Sequence, residues 1–228
     1  NFATEIFETV DMTAIAQDTW SSHSLQVTID AIAREGHIIQ FGFANEASDY
    51  NPSAALYDNV AVALIPVTFE FSDDFESKDS TAGVVGDDWT MFVNVFDASD
   101  AFLYNYGPFD APNGSGAVSG VETGEASADQ GTQYLSVFSD YNNADAHGSV
   151  TQVVETSVFR EFTIAATDSG TFSFSFDAKR PLTNPVAAPS SAYAFIKVLN
   201  PNNNFATEIF ETVDMTAIAQ DTWSSHSL

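Results

Sequence analysis

The sequence predicts an all-β protein: an antiparallel β-sandwich of jelly-roll type, with about ten strands and little helix. Three observations lead there. Short runs of alternating apolar and polar residues recur down the chain. The cleanest is residues 171–179 (TFSFSFDAK), which sets Phe172, Phe174 and Phe176 on one face. Composition points the same way: 44% of the 228 residues are hydrophobic and 20 are Phe, and aromatic and β-branched side chains suit a pleated, half-buried surface. Helical periodicity is scarce, confined to residues 11–18 (DMTAIAQD), which read as a short turn or helix.

The strands follow in order. Residues 23–30 (HSLQVTID) put Leu25, Val27 and Ile29 on one face. Residues 33–36 (AREG) make a turn, and residues 37–44 (HIIQFGFA) align Ile39, Phe41 and Phe43. Residues 45–52 (NEASDYNP) are a polar loop. In residues 55–64 (ALYDNVAVAL), Leu56, Asp58, Val60 and Val62 share one parity, which points Asp58 inward. After Pro66, residues 67–71 (VTFEF) alternate again, and the acidic residues 72–88 are loop. Residues 89–96 (WTMFVNVF) and 102–106 (FLYNY) are strands. Residues 108–129, rich in Gly, Ser, Ala and Pro, form the longest irregular stretch, and long loops in compact domains are often functional. Residues 133–139, 150–164, 171–179 and 191–199 complete the set, the last with Tyr193, Phe195 and Lys197 on one parity.

One stretch occurs twice. Residues 1–25 (NFATEIFETVDMTAIAQDTWSSHSL) return without a substitution as residues 204–228, an offset of 203. Identity over that length is a repeat, and repeats at a fixed period mark arrays. The chain reads as one full period plus the start of the next, a window onto a longer polypeptide whose targeting signal lies out of view.

The charge balance excludes whole classes of partner. Six Lys and Arg stand against 32 Asp and Glu, a net charge of −26. Phosphate binding needs clustered cations, so nucleic acid is excluded, and an anionic membrane surface with it. The longest apolar run, residues 60–67, is far shorter than the roughly 20 residues of a membrane span. Such acidity fits a salty setting in which screening tames self-repulsion, and it also fits binding of divalent cations. The absence of Cys removes disulfides and thiolate metal sites, leaving calcium as a common alternative staple for a secreted domain.

Several short motifs then fall into a recognisable rhythm. Asp73-Asp74-Phe75-Glu76 is an opening turn, followed by Gly86-Asp87-Asp88-Trp89. Phe176-Asp177-Ala178-Lys179 ends one strand, and Phe195-Ile196 lies in the next. Trp20 (or Trp223), the strand of residues 36–43 (GHIIQFGF) and Tyr57-Asp58-Asn59-Val60 come after. This order resembles the jelly-roll carbohydrate-binding modules of galactose-binding-like fold, over most of the period. The resemblance implies that residues 1–66 are the closing strands of a unit and residues 67–228 its opening and middle strands. The closing strands then complete the next unit in a permuted or strand-exchanged way, or neighbouring chain completes each unit.

The resemblance also implies a structural calcium that ties the opening turn to the closing strand, held by Asp74, Glu76 and Asp58. Calcium takes six to eight oxygen ligands, and a buried carboxylate needs a partner. The blander alternative is solvated turn carboxylates. Sugar binding needs exposed aromatic faces with polar neighbours, for which Tyr104 and Tyr106, Tyr141 with Asn142, and Tyr50 are candidates; ordinary surface or core tyrosines are the alternative. No catalytic signature stands out. Carboxylate pairs mean nothing among 32 acidic residues. His23, His37 and His147 lack ligand spacing, and Gly114-Ser115-Gly116 does not match a nucleophile elbow.

The expected function is therefore a non-catalytic structural repeat of a secreted, calcium-stabilised surface polymer, adhesin or extracellular filament. Its partners are identical copies of itself, joined head to tail through shared strands. The second reading is a carbohydrate-binding module of a secreted polysaccharide-degrading enzyme, with polysaccharide as the partner.

Overall fold

Alternation in the sequence becomes strands throughout. The computed structural model describes residues 6–12, 15, 17, 19–48, 53–65, 69–78, 88–97, 99, 101–107, 119–139, 152–182 and 191–203. Among them are twelve strands and one short 3-10 turn, Pro201–Asn203. The strands are β1 (Ile6–Asp11), β2 (Ser21–Ile29), β3 (Ile38–Ser48), β4 (Ser53–Ile65), β5 (Glu70–Asp73) and β6 (Thr90–Asp97). They continue as β7 (Phe102–Tyr106), β8 (Ser119–Thr123), β9 (Gln133–Ser139), β10 (Gln152–Thr163), β11 (Gly170–Lys179) and β12 (Ser191–Leu199). The second copy of the repeat lies outside the described residues, as do Tyr141, Asn142 and Tyr50.

Two antiparallel sheets form a β-sandwich. The first runs β1-β12-β3-β10-β6-β7 and the second β2-β11-β4-β9-β8, with β5 also paired to β4. Front and rear of the chain interleave. β3 lies between β12 and β10, and β4 between β11 and the β5 and β9 pair. Residues 6–65 thus complete a sandwich with the strands that follow them in the same chain. Strands β1 and β8 are additions to the sequence reading, and β3 extends into the stretch read as a polar loop.

The alternating side chains face each other across the sandwich. Ile39, Phe41 and Phe43 of β3, Met91, Val93 and Val95 of β6, and Ala194, Ile196 and Val198 of β12 meet Phe172, Phe174 and Phe176 of β11. Phe43 sits at the centre, fully buried, with its ring 3.7 Å from Tyr57, 5.1 Å from Phe176 and 5.4 Å from Phe174. Burial of rings this size supplies most of the driving force for the fold. Among the described residues no helix is long and apolar enough to cross a membrane.

The β2–β3 turn is closed tightly: Asp30 Oδ1 accepts hydrogen bonds from the amides of Ile32 and Ala33, and Gly36 takes a left-handed φ of 80°. Strand β4 carries a bulge. Ser175 of β11 faces Ala61 and Asp177 faces Asp58, so Asn59 and Val60 together oppose Phe176, with Asn59 at a φ of 48°. The bulge reverses the parity of β4. Ala55 and Tyr57 face the core before it, Val60, Val62 and Leu64 after it. Asp58 therefore does not share the inward face of Val60 and Val62, as simple alternation has it. It stands beside Asp177 on the other side of the sheet.

Candidate functional site

Asp58 is nonetheless fully buried. Two turns account for its surroundings. The first is the opening turn after β5. Asp73 accepts hydrogen bonds from the Phe75 amide at 2.9 Å and from Trp89 Nε1 at 3.0 Å, with Lys78 Nζ at 3.4 Å. Phe75 takes a left-handed φ of 57°, an uncommon state for a bulky residue, held by complete burial of its ring against Trp89.

Glu76 then reaches the second turn, ahead of β9. Its Oε1 accepts from the amides of Thr132 at 2.6 Å and Gln133 at 2.7 Å, and its Oε2 from Thr132 Oγ1 at 2.5 Å. The Thr132 hydroxyl and these amides hold the Glu76 carboxyl below its ordinary range. Gly131, at a φ of 69°, passes so close that a Cβ there would stand 2.6 Å from Glu76 Oε1. Gln133 Nε2 answers by donating to the carbonyls of Phe75 and Glu76, both at 2.9 Å.

The other wall comes from β11. Asp177 Oδ2 accepts from Asn59 Nδ2 at 2.8 Å and from Gln130 Nε2 at 2.9 Å, and its Oδ1 accepts from Ser22 Oγ. Burial would raise the Asp177 pKa, but the hydrogen bonds from Asn59, Ser22 and Gln130 outweigh it and hold the group ionised. The next Lys along the same strand pins the far end of the covering loop. Lys179 Nζ lies 3.2 Å from Glu125 Oε2 and donates to its carbonyl at 2.8 Å, under the ring of Trp20 at 5.6 Å.

Asp58 is the unsatisfied member. Its Oδ1 accepts from the Asn59 amide at 2.7 Å, while its Oδ2 is buried without a hydrogen-bond partner. Burial, with the negative charges of Glu76, Asp177 and Asp74 adding to it, pushes its pKa up to about 7. Among the described residues no Lys or Arg pairs with Asp58, Asp177 or Glu76. Asp74 and Glu76 lie near enough for their charges to act on Asp58, and so does Asp177, which the sequence reading did not name as a ligand. The FDAK strand carried that residue in plain view; the missing signal was the register that sets it opposite Asp58.

A hard cation fits this donor set. All the side-chain groups are oxygens, the net charge is strongly negative, and one buried oxygen lacks a donor. They do not form a ready-made cage: among the described residues no three Asp, Glu, His or Cys side chains converge as metal ligands. Glu76 is turned onto Thr132 and Gln133, and Asp177 onto Ser22, Asn59 and Gln130.

The aromatic candidates sort differently. Tyr104 and Tyr106 stand opposite Val95 and Val93 on β7. They are half-buried against the core, with rings 6.5 Å apart and both hydroxyls buried, instead of presenting open faces. A second aromatic group lies on the outer face of the first sheet, where Phe159 and Phe195 pack with Ala44, Phe92 and Tyr193. Tyr193 Oη donates to Glu155 at 2.7 Å, Asn94 Nδ2 donates to the same carboxylate at 2.9 Å, and Lys197 Nζ sits 4.8 Å over the Phe195 ring. The shared parity of Tyr193, Phe195 and Lys197 was the sequence signal for it.

No protein-family model, no curated protein and no solved structure matches this chain.

Proposed function

We propose that this chain is a non-catalytic structural unit of a secreted, acidic tandem array, a surface polymer, adhesin or extracellular filament whose partners are identical copies of itself. The verbatim recurrence of residues 1–25 at an offset of 203 carries the reading. The placement of Ile6–Asp11 at one end of the first sheet, as the described strands are ordered, supports it, because an edge strand is the natural point of linkage between units. Electron microscopy of the native material tests it. A regular axial repeat is the expected result, and monodisperse free monomers refute it.

A calcium ion belongs to the same reading as a structural staple. Asp58 and Asp74 would hold it with Glu76 and nearby backbone carbonyls, and the ion would neutralise the charge that Asp58 now carries among Glu76, Asp177 and Asp74. Thermal melting with and without EGTA checks this, since a ligand bound only to the folded state raises the midpoint.

The second reading, a carbohydrate-binding module, rests on the resemblance of the turn and strand motifs around Asp73–Glu76, Phe176–Lys179 and Tyr57–Val60. Retardation on polysaccharide-containing gels is its test; unchanged migration on all of them removes it.

A further inference from the structure

The repeat and the register together single out one strand. β1 is the terminal strand of the first sheet and pairs with β12 alone, Ile6 opposite Val198 through Asp11 opposite Tyr193. The six residues of β1, IFETVD, recur verbatim as residues 209–214. We infer that β12 is a seat for either copy of this strand, so that residues 209–214 exchange with β1 in the same register.

Tether lengths favour exchange. β1 is tied to β2 by the nine residues 12–20. Residues 209–214 are tied to Val198 of β12 by the ten residues 199–208, among them the 3-10 turn Pro201–Asn203. Effective concentration follows tether length, and the loop-closure difference between nine and ten residues is about 0.1 kcal/mol. Identical sequences make identical contacts with the same edge. Neither occupant therefore holds a decisive advantage from its strand or from its tether. The path behind each strand is matched as well: Met12 and Ile15 are buried beside β1, and the same residues recur as Met215 and Ile218.

β2 does not take part. It is locked to β3 by the closed turn at Ala31–Gly36, where Asp30 caps two amides and the amide of Gly36 donates to Ile164. The segment therefore divides. In an array its first half completes one unit while its second half opens the following one, and the connection between them bridges the two. This consequence deepens the array reading and rests on it; the exchange itself rests only on this chain.

The 228-residue chain tests the exchange directly. Thr9→Pro with Val10→Pro removes a ladder donor from the front copy whichever of the two amides faces β12, and Thr212→Pro with Val213→Pro does so at the rear. The front variant should melt with the wild-type midpoint, and only the four-proline chain should fall below it. A front variant that melts as low as the four-proline chain overturns the inference. A second readout needs no destabilised chain. The protein has no Cys, so Tyr193→Cys with Asp214→Cys should form an intramolecular disulfide in the monomer, and so should Tyr193→Cys with Asp11→Cys. Formation of the second bond alone also overturns it. Either failure leaves the array open to its own test by microscopy, so the two readings fall separately.

Discussion

If calcium is held as proposed, replacing Asp58 by Asn should stabilise the protein without calcium and destabilise it with calcium. In EGTA the buried carboxylate carries its charge among Glu76, Asp177 and Asp74, and its pKa stands at about 7 against an ordinary 3.8. At about 1.4 kcal/mol per unit, this opposes folding at pH 8 by up to about 4 kcal/mol. Partial relaxation of the surrounding turns brings the expected figure nearer about 2 kcal/mol. The sign follows from linkage. A raised folded-state pKa gives stability that is complete below pH 3.8 and lost as pH rises through about 7. Asn keeps the acceptor for the Asn59 amide and removes the charge. In EGTA at pH 8, Asp58→Asn should therefore raise the melting midpoint by roughly 4–8 °C and flatten its dependence on pH between 4 and 8. With calcium at about 100 times the dissociation constant of the proposed site, the wild type should gain about 2.7 kcal/mol and the variant should lose most of that gain. Differential scanning calorimetry with and without EGTA reads both effects. A variant less stable than wild type in EGTA, with an undiminished calcium shift, would refute the argument.

Other perturbations probe the remaining structure. Phe43→Ala empties the centre of the aromatic core and should cost about 3–5 kcal/mol in urea unfolding. Gly42→Ala drives a Cβ into the Val158 carbonyl and the Phe159 backbone across the sheet, so it should destabilise far more than a surface Gly→Ala change. Lys179→Met strands Glu125 beneath the covering loop, with an expected loss of about 3–5 kcal/mol that Glu125→Gln partly restores. Burial lowers the His23 pKa from 6.5 despite the nearby Asp177, so acidification below 6.5 should destabilise the wild type more steeply than His23→Gln.

The periodic parts of the fold were legible because alternation is a local property. Phe172, Phe174 and Phe176 announce β11 without help from the rest of the chain. The short strand Ser119–Thr123 was hidden in a Gly- and Ser-rich stretch, since it is ordered by pairing with β9 and not by its own propensity. The candidate site was half legible. Turn motifs and spacing found Asp74 and Glu76. The inward orientation of Asp58 was misjudged because a single extra residue at Asn59 reverses parity, and bulges leave only a faint mark in sequence. Asp177 belongs to the site through cross-strand register, which no single segment encodes. Tyr104 and Tyr106 looked like open faces but sit on the inward side of an edge strand.

The pairing of β1 with β12 has a mechanical corollary. Ile6 lies against Val198, so the start of β1 and the end of β12 lie at the same end of the pair. Tension entering at Ile6 and leaving at Leu199 peels the ladder one hydrogen bond at a time, where a pull along opposite ends would load all of them together. The edge should yield at low force and lengthen the chain by the slack of residues 6–20 before the sandwich itself opens, which a stretching experiment would register as a small early step. In the proposed array such edges would act as soft couplings in series.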